Sequence, residues 1–431
     1  MFWTAYLVVA VLVIVEGIGS LWGGARFRRY VRRRMAVDPL PYAPRAVVLL
    51  PCKGIDRNLA DTLRALDRQD YPDYRVICAF ESADDPALAL ARQVADERTG
   101  SRISTAVAQP ATCRSQKIEN LVAAIRQAGD WPEVYAFVDS DAVPHRLWLR
   151  FLVSALAEER VGAATGYRWY VPGHTLSGIV RCLWNAVAMT FLGDHDRNFC
   201  WGGSMAVRRE FFERAGVLRR WDSALSEDFQ VARATYDAGM RVRFVPQCLI
   251  PCHGDPTWRE FWTFARRQLI ITRVCEPRLW WAAALVTASF SVGFWGPLLL
   301  LLHGAAKGQA MEIFAGGVVL LTIYGLGMAK AALRKSAVSA ALRGRPGGAA
   351  AGLGLFWDVF ASPLVATFNA PLMVASGVSS RFGWRGIRYQ MKSPLLTTVL
   401  SRDDRAAFDR TAVEQASPLP ELDPNGARHG V

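Results

Sequence analysis

Apolar residues concentrate near the two ends of the chain. The first run extends from Phe2 to Trp22, is interrupted only by Glu16, and is about as long as a helix that crosses a bilayer. Six arginines follow it between positions 26 and 34, and no positive charge precedes it. Basic residues beside a span mark its cytoplasmic side. The pattern therefore predicts a retained N-terminal transmembrane anchor over 1–24, with the next domain in the cytoplasm.

A membrane domain is predicted over 279–390. Residues 279–302 contain no charged side chain, and a second apolar run covers 313–329, which together are typical of a helix hairpin. Residues 352–378 are apolar but interrupted by prolines and polar side chains, so we expect them to dip into the membrane and return. An interfacial WRGIRY stretch follows. The charged, proline-containing segment 400–431 is predicted to be a disordered tail.

Between these regions, apolar runs rich in β-branched residues alternate with amphipathic helical patterns. This β-α-β order predicts a cytoplasmic α/β domain over 45–275, with a mostly parallel sheet flanked by helices. Ligands of such sheets bind beyond the carboxyl ends of the strands. The predicted strands are 46–51, 74–80, 103–107 and 134–138, and the predicted helices are 58–66, 86–98 and 115–127.

The formal net charge of +13 raises the question of a nucleic-acid partner. Because the basic clusters lie directly beside apolar runs, they favour contact with anionic lipid over nucleic acid. The eight cysteines are scattered, and no two have CxxC spacing. That spacing argues against a zinc site and suits reduced thiols in a cytoplasmic domain.

Two carboxylates, Asp139 and Asp141, end the apolar strand of VYAFVDSDA (134–142). Hard divalent cations prefer oxygen ligands, and Mg²⁺ commonly shares one or two carboxylates with substrate phosphates. The pair is therefore a candidate site for Mg²⁺ or Mn²⁺ against a diphosphate, where the metal offsets the charge that grows on the leaving group. A solvated acidic turn is the alternative interpretation.

Two further acidic clusters have both functional and structural interpretations. Glu81, Asp84 and Asp85 follow the second predicted strand and could hydrogen-bond a base or ribose, although Asp85 also suits a helix N-cap before Pro86. In SEDF (226–229), Asp228 could serve as a general base for an acceptor hydroxyl. Acidic residues in a first helical turn also stabilise the helix dipole, which is the alternative.

In their order along the chain, these sites resemble family 2 glycosyltransferases of the GT-A fold, and within them the ceramide glucosyltransferase type. The matching elements span roughly residues 45–390. They are PCKG (51–54), DDP (84–86), QKIENL (116–121), VDSDA (138–142), GG (202–203), SEDF (226–229), CEP (275–277) and WRGIRY (384–389).

The resemblance implies inverting transfer of a sugar from a UDP-sugar to a hydroxyl, with Asp228 as the base and a divalent cation at Asp139 and Asp141. By position, Asp84 or Asp85 would contact uridine. The residues that the resemblance assigns to substrate binding are Pro51, Lys53, Asp84, Asp85, Lys117, Asp139, Gly202, Gly203, Glu227, Arg266, Arg267 and Gln268.

The sequence departs from the family pattern at FARRQ (264–268). The family usually has Q/R-x-x-R-W, and here Arg267 can fill the arginine position while the first and last residues differ. An arginine there is expected to contact the diphosphate. The missing tryptophan weakens the case for a processive polysaccharide synthase.

We therefore predict an integral protein of a bacterial inner membrane that transfers sugar to a ceramide-like lipid. Residues 176–192 form either an amphipathic interfacial helix that brings the lipid to Asp228 or a buried core helix. Trp201 and His253 are expected near that entrance. The rival hypotheses are a polysaccharide synthase of the same superfamily and an inactive membrane-surface binding protein.

Overall fold

The computed structural model describes residues 2–344 and 351–403. The strands are β1 (Ala46–Pro51), β2 (Tyr74–Phe80), β3 (Ile103–Val107), β4 (Val134–Val138), β5 (Val161–Val171), β6 (Ser204–Arg208), β7 (Arg241–His253), β8 (Arg381–Trp384), β9 (Ile387–Ser393) and β10 (Leu396–Arg402). The helices are α1 (Phe2–Met35), α2 (Leu59–Asp67), α3 (Pro86–Asp96), α4 (Gln116–Ala128), α5 (Trp148–Ser154), α6 (Leu176–Met189), α7 (Arg209–Arg214), α8 (Val217–Trp221), α9 (Glu227–Asp237), α10 (Trp258–Cys275), α11 (Pro277–Lys307), α12 (Ala310–Leu342), α13 (Ala351–Ala366) and α14 (Asn369–Val378).

The central sheet has seven strands in the order β3-β2-β1-β4-β6-β5-β7. β1 is parallel to both β2 and β4, and β6 is antiparallel to its two neighbours. Every residue of β1 and β4 is buried, because helices cover both faces of the sheet. The predicted fold class is confirmed: a mostly parallel sheet with flanking helices, and long apolar helices towards both ends of the chain.

Three helices, α1, α11 and α12, are long and apolar enough to cross a bilayer. α1 continues to Met35, beyond the predicted anchor, because the arginine run keeps its helical conformation. The three pack closely through small residues: a Cβ added at Gly17 would lie 2.9 Å from Leu326, and one at Gly293 would lie 2.7 Å from Val13.

The segment predicted to dip and return forms two helices, α13 and α14, with a break at residues 367–368. A buried ion pair joins Arg334 of α12 to Asp358 of α13. Most of α6 is buried, and it packs against α10 and α13 beside the central sheet. That position agrees with the core-helix interpretation of this segment.

The chain ends, within the described residues, in a three-stranded antiparallel sheet of order β10-β9-β8. The WRGIRY stretch, for which an interfacial position was predicted, lies in this sheet. Phe382, Ile387 and Tyr389 bury their side chains against Leu225 and Ile270 of the α/β domain. β10 extends to Arg402, so residues 400–402, which the disordered-tail prediction included, belong to a strand. Residues 404–431 lie outside the described part of the chain.

Candidate active site

A cavity of about 540 Å³ opens at the carboxyl ends of β1 and β4. The lining residues come from chain segments before α11 and after α12, because the C-terminal sheet forms one wall of the cavity. The predicted site residues that line it are Pro51, Lys53, Lys117, Asp139, Asp141, Glu227, Asp228, Arg267 and Gln268. Trp201 and His253 line it as well.

The Asp139 carboxylate is held by two cations. Lys117 Nζ lies 2.6 Å from its Oδ1, and Arg168 Nη2 lies 2.8 Å from its Oδ2. Burial alone would raise the pKa of Asp139, but Lys117 and Arg168 together hold it below the ordinary value. Asp139 is therefore ionised at neutral pH.

Asp141 has much weaker compensation. Its one ion pair among the described residues is with Arg168, at 3.9 Å. Burial raises the pKa of Asp141, and the nearby Asp139 and Asp56 carboxylates raise it further. A cation placed beside Asp141 would relieve this repulsion.

Lys117 also contacts Glu227, at 2.6 Å from Oε1. Burial would lower the pKa of Lys117, but Asp139 and Glu227 raise it above its ordinary value. Burial raises the pKa of Glu227 to about 7, although Lys117 acts in the opposite direction. Glu227 thus forms a buried ion pair that positions Lys117 in the wall of the cavity.

Asp228 is fixed at the start of α9 by three hydrogen bonds. Its Oδ2 accepts from the Gly202 N–H at 3.1 Å, and its Oδ1 accepts from its own neighbour, the Phe229 N–H, at 2.8 Å. The Ser226 hydroxyl also donates to Oδ1. A carboxylate has about four acceptor positions, so Oδ2 keeps one for a further donor.

The two glycines of GG allow this close approach. A Cβ at Gly202 would overlap the Glu227 carboxylate, and one at Gly203 would lie 2.6 Å from Asp139 Oδ2. The glycines therefore line the back of the acidic cluster, as expected where other groups approach the backbone closely.

The structure does not bring Asp84, Asp85 or Arg266 to the cavity. Asp84 is exposed outside it. Asp85 caps α3, accepting from the Ala87 N–H at 2.9 Å, and also accepts from the Gly54 N–H. Arg266 points away from the cavity and donates to backbone carbonyls beside the C-terminal sheet. The helix-cap interpretation of Asp85 is therefore confirmed, and its contact with Gly54 is a further structural one.

Arg267 extends into the cavity from α10, where it lies over the Trp384 ring with 4.8 Å to the centroid. Gln268 stands where the resemblance leads one to expect tryptophan, and the Arg267 guanidinium lies near both Trp384 of β8 and Phe264 of α10. Burial lowers the pKa of Arg267 to about 10. An anionic ligand would reverse this effect.

Sequence reasoning missed several lining residues: Asp56, Arg168, Arg385 and Tyr389. Arg385 pairs with Asp56, which also accepts from the Ser140 hydroxyl. Lys53 pairs with Glu81, and Arg402 of β10 pairs with the same carboxylate. Local sequence patterns carry little signal for these contacts, since the partners lie far apart in the chain.

The acidic residues of the cavity can bind a divalent cation only if a bound substrate supplies further oxygen ligands. Within the described ranges, no group of three or more His, Cys, Asp or Glu side chains is arranged to hold a metal ion. Asp139 and Asp141 supply two carboxylates at one strand end, and Asp141 is poorly compensated. Such a pair fits Mg²⁺ or Mn²⁺ when phosphate oxygens complete the coordination.

Carboxylates, lysines and arginines at the carboxyl end of a mostly parallel sheet define a site for a phosphorylated substrate. The sequence model of glycosyl transferase family 21 matches residues 6–394. The chain therefore belongs to glycosyltransferase family 21. The resemblance had indicated family 2, so the glycosyltransferase class is confirmed and the family number is corrected.

Three solved structures of glycosyltransferases are similar to this chain. A mannosyltransferase from Pyrobaculum calidifontis, with GDP-mannose and Mn²⁺, is 17% identical over 86% of this chain and 98% of that chain, with a TM-score of 0.47. GalNAc-T7 with UDP, GalNAc and Mn²⁺ is 12% identical over 53% of this chain and 51% of that chain, with a TM-score of 0.37.

The third is glucosyl-3-phosphoglycerate synthase from Mycobacterium tuberculosis, with Mn²⁺ and UDP-glucose. It is 17% identical over 54% of this chain and 79% of that chain, with a TM-score of 0.35. These similarities are too low to transfer the substrates or ions of those proteins to this chain.

Proposed function

We propose that the protein is a membrane-bound inverting glycosyltransferase that moves a sugar from a UDP-sugar to the hydroxyl of a ceramide-like lipid. The observation that carries this proposal is the meeting of Asp139, Asp141 and Asp228 in one cavity. Family membership supplies the reaction class.

The donor diphosphate is expected beside Lys117, Arg168 and Arg267. These three cations line the cavity next to the strand-end carboxylates. A divalent cation, when bound at Asp139 and Asp141, supplies Lewis-acid stabilisation of the departing nucleoside diphosphate. Arg267 has no carboxylate partner among the described residues, so its guanidinium is available to phosphate oxygens.

Asp228 is the proposed general base. Its carboxylate is oriented by the Gly202 and Phe229 N–H groups, and the open position on Oδ2 can accept the proton of an acceptor hydroxyl. As that proton leaves, the hydroxyl oxygen attacks the anomeric carbon and the nucleoside diphosphate departs. A single displacement inverts the configuration of that carbon.

The apolar surface beside the cavity supports a lipid acceptor. Trp258, at the start of α10, stacks on Phe368 at the break between α13 and α14, with 6.2 Å between ring centroids. Val374 and Val378 of α14 are 69% and 82% exposed. One turn and a half further along α10, Phe264 lines the cavity. A lipid lying against this surface would place its head group at the cavity mouth.

The direct test incubates membranes containing the protein with labelled UDP-sugars and GDP-sugars and with ceramide, diacylglycerol and sterol acceptors. We expect a labelled glycolipid from a UDP-sugar and ceramide, with the anomeric configuration inverted relative to the donor. A polymeric product would identify a polysaccharide synthase. Binding of UDP without any transfer would identify an inactive binding protein.

Asp228→Asn tests the base. We expect kcat to fall roughly a hundredfold to ten-thousandfold, because general-base catalysis contributes about that much, while UDP binding stays unchanged. Asp237→Asn, at the exposed end of the same helix, is the matched control and should keep full turnover. Full turnover by Asp228→Asn would show that another group takes the proton.

A further inference from the structure

The turn between β8 and β9 has an unusual residue at its tip. Trp384 pairs with Ile387, so Arg385 and Gly386 alone form the connection. Their φ angles are 51° and 73°. Two-residue hairpin turns with positive φ at both positions are dominated by Asn-Gly and Asp-Gly. Arg385 is the one non-glycine residue with positive φ in the described part of the chain.

A left-handed conformation is unfavourable for an arginine, because its Cβ comes too close to the backbone. Such a conformation at a ligand cavity is a pointer to function. Here it projects the Arg385 side chain from the hairpin tip to the cavity, where Nη2 donates to Asp56. Asp56 also accepts a hydrogen bond from the hydroxyl of Ser140, the residue between Asp139 and Asp141 in the sequence.

Only one of the five guanidinium donors of Arg385 is used by Asp56. Its side chain is 40% exposed, at the cavity wall, so the remaining donors can reach a ligand. Arg267 stands close by, and burial lowers its pKa to about 10, with Arg385 and Arg168 adding repulsion. Three arginines thus lie at the cavity, and of these Arg267 has no carboxylate partner among the described residues.

The hairpin is held rigidly against the catalytic domain. Tyr389 OH accepts from the Gln116 N–H at 3.2 Å, and Arg402 donates to Glu81 and to Gln116 Oε1. Tyr389 and Ile387 are buried. Arg385 is therefore positioned before a ligand arrives, which lowers the entropic cost of binding.

We propose that Arg385, oriented by Asp56, forms with Arg267 a clamp for the diphosphate of the donor. The inference rests on the proposed function, since it assumes a nucleoside diphosphate donor. The planar guanidinium fork matches two phosphate oxygens, which explains why arginine occupies a turn position that asparagine would fill at lower conformational cost.

Arg385→Asn separates binding from folding, because Asn-Gly is a favoured sequence for this turn. The full-length protein in detergent is titrated calorimetrically with UDP and with inorganic pyrophosphate, both with Mn²⁺, and with uridine. We expect the variant to bind UDP and pyrophosphate roughly tenfold to a hundredfold more weakly, as for loss of a charge-assisted contact, and uridine unchanged. Its melting temperature should not fall.

Two further variants sharpen the test. Arg385→Lys keeps the charge without the fork and should recover part of the affinity for pyrophosphate. Arg388→Asn removes an exposed arginine of the same hairpin, outside the cavity, and should leave all affinities unchanged.

Unchanged binding of UDP and pyrophosphate by Arg385→Asn would overturn the clamp and leave the proposed function intact. Equal losses for uridine and pyrophosphate would also overturn it, because they would indicate a general distortion of the cavity. A wild-type protein that binds neither UDP nor pyrophosphate would instead overturn the proposed donor, and the clamp with it.

Discussion

Lys117 is the residue on which the acidic cluster depends. Its ammonium contacts Asp139 and Glu227 at 2.6 Å each, and its charge also acts on Asp228. Removing one partner from a buried set of charges leaves the others uncompensated, which is costly. Lys117 and Arg168 together hold the pKa of Asp139 below its ordinary value, against the effect of burial.

Lys117→Met should shift the pH dependence of turnover. Lys117 is the stronger of the two cations that lower the pKa of Asp139, so its loss raises that pKa. A carboxylate that must be ionised then requires a higher pH, and we expect the acidic limb of kcat/KM to move to higher pH. Lys392→Met, an exposed lysine of β9, is the control. An unmoved acidic limb would show that Asp139 does not limit activity at low pH.

Some site residues can be predicted from the sequence, and others cannot. Asp139 and Asp141 are predictable because an apolar strand runs directly into them. Arg168 is not predictable, because it lies within β5 and no motif in the neighbouring sequence indicates ligand binding. The pairing of Arg385 with Asp56 joins positions 329 apart, so no local spacing could reveal it.

Among the elements, α10 connects the cavity to the apolar surface. Its first turn is fixed by a capping box: the Thr257 hydroxyl accepts from the Glu260 N–H, and the Glu260 carboxylate accepts from the Thr257 N–H. Trp258, Phe264 and Arg267 then follow along the helix, the first at the apolar surface and the last at the proposed diphosphate site.

Thr257→Ala should loosen this first turn. Loss of an N-cap side chain costs about 0.5–2 kcal/mol of stability. We expect a lower melting temperature and a raised KM for the lipid acceptor, while the affinity for UDP stays near its wild-type value. Thr112→Ala, in an exposed loop, serves as the control. A change in UDP affinity alone would place the effect of α10 on the donor side.

The strands β1 to β4 are predictable because each is a short apolar run followed by a turn and a helix. β5 is not predictable from the sequence, because Gly162 and Gly166 interrupt its apolar pattern. β7 is not predictable either, because Pro246, Pro251 and its alternating arginines disrupt the period typical of a strand. Both strands are stabilised by pairing with each other, which is a tertiary effect.

At the scale of the whole molecule, one catalytic cavity is built from chain segments that precede and follow the apolar hairpin α11–α12. This arrangement requires that the central sheet and the C-terminal sheet lie on the same side of the membrane. By the positive-inside rule, the arginines at the end of α1 predict that this side faces the cytoplasm.

Cys113 allows a direct test of this orientation. It is the one exposed cysteine; Cys275 is half-buried and the others are buried, and all eight lie in the described residues. A membrane-impermeant maleimide should label the wild type in inverted vesicles but not in intact spheroplasts, and Cys113→Ser should abolish the labelling. Gln309→Cys in that background, in the loop between α11 and α12, should label from the outside. The reverse pattern would contradict a cytoplasmic site.

The late position of the C-terminal sheet in the chain affects when the protein becomes active. A ribosome completes Asp56, Asp139 and Asp228 long before it reaches Arg385 and Tyr389. A nascent chain therefore lacks one wall of the cavity until both arms of the hairpin have been synthesised. We expect the proposed sugar transfer to begin only after that point.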